Sequence, residues 1–449
     1  MKLKERMVSL DAFRGFIMVM LAASGFGIAG MVRQPEEHPV RWQVLDQPRW
    51  EWFAHHFEHP PWQSSFVPGS HDAQVGSPWL HWAVSFWDLI QPAFMFMVGV
   101  AMPLSYRSRK ERGDPQWKMG LHAATRAAVL VLLGVFLYSL HNGRTNWIFP
   151  NVLAQIGLGY FFAYLLLLTP RWAQITAFFA ILAATWTMFA VYNVPESYDP
   201  AAVNASAERG EVYAGFFRHW SKNGNVAAAF DTWLLPLFPP TKDTEGNIVP
   251  FSLNRGGYMT LNFLPSIATT LLGIFCGQLL MSDRTVTRKL LLLLALGAGC
   301  LAGGVLAGAT CCPIVKRIWT PSWVLFSGGY VVWMLALFYL LFDVLPLKKL
   351  AFPLTVIGMN SLAIYLMGEM LRGWFINHVV QTHFGELLRA ALGQITIWTG
   401  WMQRMGATPE TVGDITYQIY QPMVDTASAL IVMWLLAYYM YRNRIFIRM

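Results

Sequence analysis

The sequence predicts an all-α polytopic membrane protein of about ten transmembrane helices, with both termini cytoplasmic and long outer loops at about 33–85, 193–258 and 372–425. Three observations predict it. Charged residues make up 13% of the 449 positions and hydrophobic residues 55%, whereas soluble proteins carry about 25% charged residues. The apolar residues form continuous runs close to the ~20 helical residues that cross a hydrocarbon core. They do not alternate with polar ones, so they read as helices that satisfy their own backbone in lipid. Lysine and arginine concentrate in every second connection, as cytoplasmic loops do.

The first run, about Leu10–Val32, follows Lys2, Lys4 and Arg6. It is longer than the apolar core of a signal peptide and carries Asp11 and Arg14 at its start, so an uncleaved helix is expected. The second, Phe86–Tyr106, opens with Asp88 in FWDLIQP, an acid that a helix N-terminus favours, and leads into Arg107, Arg109, Lys110, Arg112 and Lys118. Runs three to five are Ala123–Leu140, Asn151–Leu168 and Trp172–Tyr192, the last preceded by Arg171. The sixth and seventh, Met259–Met281 and Leu290–Ala309, flank Arg284, Arg288 and Lys289. The eighth, Ser322–Leu345, ends before Lys348 and Lys349. The ninth, Phe352–Leu371, holds Asn360, Ser361 and Glu369, and the tenth, Thr426–Tyr441, precedes Arg442, Arg444 and Arg448. A single domain over 1–449 is expected, with an amphipathic stretch Phe384–Trp401 lying along or dipping into the bilayer. Most of the +8 net charge is this orienting charge, so no nucleic-acid partner is implied. The four cysteines form no disulfide framework.

Ionisable residues inside a membrane usually face a partner or a cavity. Asp11 and Arg14 share a helix face, as an anchoring ion pair or as a ligand-binding arginine oriented by an acid. Small polar residues such as Asn360 and Ser361 commonly join helices. The histidines are uneven. His38, His55, His56, His59, His71, His81, His141, His219, His378 and His383 fall on the outer side, and His122 near the cytoplasm. Imidazole takes and returns protons near neutral pH. No metal-ligand spacing is evident and no metal is assigned. Trp62, Trp79 and Trp82 in the first outer loop are candidates to stack on a sugar, although a Trp belt at the interface is ordinary.

Seven segments occur in one order: RMVSLDAFRGFIMVM, FEHPPW, FWDLIQPAFMFMVGVAMPLS, NVLAQIGLGYF, LPSIATTLLGIFCG, PIVKRIWTPSWVL and GMNSLAIYLMGE. Together they resemble the heparan-α-glucosaminide N-acetyltransferase family, most of all its bacterial members. The resemblance implies a bacterial cytoplasmic-membrane protein of a family whose members are often homodimers, a state that nothing in this sequence decides. It would carry an acetyl group from cytosolic acetyl-CoA to the amine of a terminal glucosamine-type sugar outside. The family's catalytic histidine lies in a His-x-x-Trp group that matches His59 and Trp62, with His81 a rival closer to Asp88; it would act as a base or as a covalent acetyl carrier. Asp88 or Glu369 would orient the imidazole, and Asn360 would help hold the thioester carbonyl. Arg14, Arg107, Arg109, Lys110, Arg126, Arg288 and Lys289 are candidates for the CoA phosphates, which favour such cations. Three positions depart from the family pattern: Gly25 and Gln155 replace an asparagine and an arginine, and Gly368 a histidine. An O-acetyltransferase of an exported or cell-wall glycan, or a sugar transporter, is the alternative.

Overall fold

The computed structural model describes residues 7–32, 48–59, 62–63, 84–140, 144–240, 245–394, 408 and 412–447. Lys2, Lys4, Arg6, Arg448 and most of the first expected outer loop lie outside them. Among the described residues the regular elements are helices. Helix α1 is Val8–Ala22, followed by a turn over Ser24–Gly27 and the short α2, Ile28–Val32. Next come α3 (Pro48–His55), α4 (Phe86–Glu111), α5 (Gln116–Ser139), α6 (Val152–Leu167) and α7 (Arg171–Ala190). Then follow α8 (Val226–Leu234), α9 (Phe263–Met281), α10 (Val286–Thr310) and α11 (Pro321–Tyr339). The last are α12 (Phe352–Met359), α13 (Ser361–Met370), α14 (Thr382–Gly393) and α15 (Val412–Arg442).

Among the described residues, seven helices are long and apolar enough to cross a membrane, or eight if the first run counts as one span bent by 44°. Three expected runs account for the difference from ten. The first bends at the Ser24–Gly27 turn. The fourth becomes α6, only 16 residues long. The ninth breaks at Asn360, whose φ of −123° and ψ of 36° end α12 before α13 begins.

Side chains set many of the helix ends, as unpaired terminal N–H groups require. Asn151 caps α6 and Asn225 caps α8, each accepting the N–H three residues on. Thr320 caps α11 in the same way. The N-terminus of α1 is capped from far along the chain. The Asp343 carboxylate accepts the N–H of Val8 at 3.0 Å and of Ser9 at 3.3 Å, and also the Ser9 hydroxyl.

The described residues fall into two compact units. One holds 91–340 together with Trp62, Gln63 and Val84. Within it α4 and α9 meet backbone to backbone, since a Cβ at Gly99 would strike the Thr270 carbonyl and one at Gly273 the Phe96 carbonyl. Small residues allow this approach in lipid, where dispersion and hydrogen bonds replace the hydrophobic drive. Part of the 193–258 connection is packed, around Trp220 and Ala227. Trp62, Phe189, Trp220, Met259 and Ile318 form a buried cluster beneath it. A buried Lys222–Glu211 pair at 2.6 Å ties its turns together. The other unit holds 7–32, 48–59, 85–90 and 341–447 among the described residues. There α1 and α12 are in backbone contact: a Cβ at Gly15 would collide with the Leu354 carbonyl, and one at Gly358 with that of Asp11.

Two outcomes follow from this packing. Gly358→Val forces α12 off α1, and overpacking of this kind costs at least ~1–3 kcal/mol. Its midpoint of thermal unfolding in detergent falls well below that of the parent. Asp231 on α8 is the second case. Both its carboxylate oxygens face the N–H of Thr260, at 3.0 and 3.3 Å. Burial nevertheless pushes its pKa up from 3.8 to about 6. A raised carboxyl pKa favours the fold fully below the unfolded value, and that contribution is lost as pH rises through 6. A shift of this size is worth about 3 kcal/mol. Between pH 5 and pH 8 the parent loses thermal stability relative to Asp231→Asn, whose amide oxygen still accepts from Thr260.

Candidate functional site

The FEHPPW stretch follows α3, and its first half is pinned to the start of α4 by successive contacts. The His56 carbonyl accepts the Trp87 N–H at 2.9 Å. The Glu58 carbonyl accepts the Ser85 hydroxyl at 2.8 Å. His59 Nδ1 lies 3.0 Å from Asp88 Oδ1. Ser85 and Asp88 have the Ser-x-x-Asp spacing that opens many helices. Here both side chains also reach to the preceding loop. Ser85 was not singled out from sequence, and that spacing is the signal that could have found it.

The environments of the dyad differ. Asp88 exposes 3% of its side chain and His59 43%. A buried carboxylate in the first turn of α4 gains from the helix dipole and from the imidazole N–H. A carboxylate can only accept, so Nδ1 carries the hydrogen of this contact. The arrangement fixes the imidazole ring against a buried carboxylate. Aromatic rings line the approach: Trp87 is 6.4 Å from the His59 ring, and Trp52 stands edge-on to His56 at 4.4 Å.

The other expected residues separate. His81, Trp79 and Trp82 lie outside the described residues, as do His38, His71 and His141. Trp62 is wholly buried, and its indole N–H donates to the Trp220 carbonyl at 3.0 Å. The ring packs in a core cluster and offers no open face in this structure. Asn360 is also fully buried. Its amide donates to the Ile445 carbonyl at 3.1 Å and accepts the Ile447 N–H at 3.0 Å. It stitches a helix break, with its amide engaged by backbone groups in this structure. Glu369 is exposed near the end of α13; the carboxylate the structure places on His59 is Asp88. Among the described residues no group of three His, Cys, Asp or Glu could hold a metal ion.

Of the candidate cations, Arg109 and Arg126 come together around one histidine. Arg109 Nη2 lies 3.0 Å from His122 Nε2. Arg126 donates to the Tyr160 hydroxyl at 3.4 Å and stacks 4.8 Å over that ring. Arg107 pairs with Glu111 at 2.9 Å. Lys110 and Arg288 are exposed. Lys289 is buried and its ammonium donates to the Leu280 carbonyl at 2.7 Å, so it is not free to reach a phosphate. Arg14 sits 3.8 Å from Asp11, the pair expected from their spacing.

Two departures from the family pattern have a steric cause. Gly25 has φ +61°, and a Cβ there would lie 2.8 Å from the ring of Phe57. Phe57, the first residue of FEHPPW, thus fills the space an asparagine side chain would need. A Cβ at Gly368 would meet the Ala22 backbone at 3.0 Å. Gln155 is buried in the position expected for arginine, with its amide directed at the carbonyls of Phe149 and Thr260. Gly25→Asn therefore lowers the unfolding midpoint, and Phe57→Ala in the same chain relieves it. A double-mutant cycle read by thermal unfolding gives a coupling of about 1 kcal/mol or more. Additivity would show that Phe57 does not occupy the site.

A family model described as heparan-alpha-glucosaminide N-acetyltransferase, catalytic, matches residues 71–207, a stretch that includes Asp88, Arg109 and Arg126. The heparan-alpha-glucosaminide N-acetyltransferase of Mus musculus is 24% identical over 330 residues, 64% of this chain and 48% of its own. That of Homo sapiens is 21% identical over 420 residues, 83% of this chain and 54% of its own. The chain spans about half the length of the curated relatives it matches. With the motif order and the helical, apolar architecture, these matches support the assignment of this integral membrane chain to the heparan-alpha-glucosaminide N-acetyltransferase family.

Proposed function

We propose that this chain is a transmembrane acetyltransferase with His59 as its base. It moves an acetyl group from cytosolic acetyl-CoA to the amine of a terminal glucosamine-type sugar on the outer side. The observation that carries the reading is the half-exposed imidazole held 3.0 Å from a buried carboxylate. A base on a rigid support needs no reorganisation when it takes a proton.

His59 Nε2 accepts the proton that the sugar amine sheds as its nitrogen bonds to the thioester carbonyl carbon. The carbon–sulfur bond then breaks. The imidazolium returns the proton to the departing sulfur, which leaves as the CoA thiol, and the sugar carries the new amide. Asp88 keeps Nδ1 protonated and offsets the charge of the imidazolium. A hydrocarbon core about 30 Å thick separates the cytosol from the outer side, so the reading gives the CoA phosphates to cytoplasmic-side cations such as Arg109 and Arg126. The filled spaces at Gly25 and Gly368 support an acceptor recognised without side chains at those two positions. The termini face the cytoplasm in this reading, from the basic connections.

The test is transfer of labelled acetyl from acetyl-CoA to glucosamine by the purified chain in membranes. His59→Ala lowers turnover about 10²–10⁴-fold, the usual contribution of a general base, in protein that stays folded although the buried Asp88 loses a partner and the unfolding midpoint falls. Asp88→Asn lowers it too, because the amide can hold the wrong tautomer. Turnover like the parent's in His59→Ala would remove His59 from the reaction. Stabilisation by glucosamine but not by CoA would favour sugar transport instead.

A further inference from the structure

Helix α10 carries glycines on two faces, and the faces differ. Gly297 and Gly304 are closed by α11: a Cβ at Gly304 would lie 2.7 Å from the Phe326 Cα, and one at Gly297 3.1 Å from the Gly329 carbonyl oxygen. On the second face a Cβ at Gly299 would meet nothing within 4 Å, and one at Gly303 only Leu325 at 3.6 Å. This open face lines a lateral groove of about 570 Å³ between α7, α9 and α10, walled by Phe178, Phe179, Phe275 and Leu296. Two arginines complete the lining, Arg171 and Arg284. Arg171 opens α7, and Arg284 lies between the end of α9 and the start of α10. Both therefore sit at helix ends, where hydrocarbon gives way to headgroups. Among the described residues neither has an ion-pair or hydrogen-bond partner. Asp283, beside Arg284, is exposed and makes no ion pair with it.

We propose that this groove holds an anionic phospholipid, its phosphate on Arg171 and Arg284 and an acyl chain along Gly299 and Gly303. Charge selects the occupant. Two guanidiniums at one end of an apolar trough match a phosphate, which arginine binds through paired N–H donors. A zwitterionic lipid presents the same chains but a compensated headgroup. The groove runs from the two arginines to Gly299, which lies about 20 Å along α10 from its start at 1.5 Å per residue, so it is elongated like an acyl chain. Neighbouring lipid tails are as apolar as the protein wall, so burial of a chain gives little preference by itself. Selectivity rests on the arginines, and residence on the shape of the trough.

The experiment is native mass spectrometry of the intact chain released from nanodiscs of equal phosphatidylglycerol and phosphatidylcholine, with Arg171→Gln/Arg284→Gln and Gly299→Leu beside the parent. The parent retains phosphatidylglycerol in preference. The double variant loses about 30-fold of that preference, about 5-fold for each arginine near a membrane surface. Gly299→Leu fills the trough without a clash and loses the retained lipid while its unfolding midpoint holds. Equal retention of the two lipids by the parent, or unchanged preference in the double variant, overturns the proposal. So does a dimer that Gly299→Leu dissociates with lipid retention unaltered, which would give the groove to a second copy. None of these readouts depends on acetyl transfer.

Discussion

Hydrocarbon supplies no hydrogen bonds, so each interruption of a membrane helix must bring its own partners. That constraint governs the breaks in this chain. The break at Asn360 is covered by the side chain itself, which donates to one backbone group and accepts from another. The exposed N–H groups at the start of α1 are met by Asp343, which lies more than 300 positions later. Gln155, buried at the start of α6, directs its amide to carbonyls of two other segments. Irregular backbone occurs here where protein groups close it.

The same economy shapes the dyad. Asp88 is buried, and a buried carboxylate is costly unless hydrogen-bonded. Its position in the first turn of α4 and its contact with His59 meet that requirement. The imidazole stays accessible because the loop reaches α4 at its N-terminal end, held by Ser85 and Trp87 at neighbouring positions. One helix start therefore fixes both the loop's path and the tautomer of its histidine.

Apolar runs made the helices legible in the sequence, because spacing and composition are local properties. His59 and Asp88 were legible as candidates, but their pairing was not: 29 residues separate them, and no periodic pattern bridges that gap. Trp62 shows the converse limit. A tryptophan three residues after a histidine reads equally well as a stacking surface or as core, and the Trp220 carbonyl that receives its N–H is a long-range partner. Asn360 looked like an oxyanion donor because polarity in a membrane run draws attention. Its actual partners, Ile445 and Ile447, are backbone groups that composition does not mark. Gly25 was visible only as a missing asparagine until Phe57 gave the reason.

The Asn360 stitch also sets an order of events during synthesis. Its partners are 85 and 87 positions further along the chain. A ribosome adding about 5–20 residues per second needs on the order of ten seconds to make them. For that interval α12 and α13 enter the membrane with an unsealed junction between them. The inserting chain must lend that amide water, a neighbouring helix or an assisting factor until its own later residues arrive.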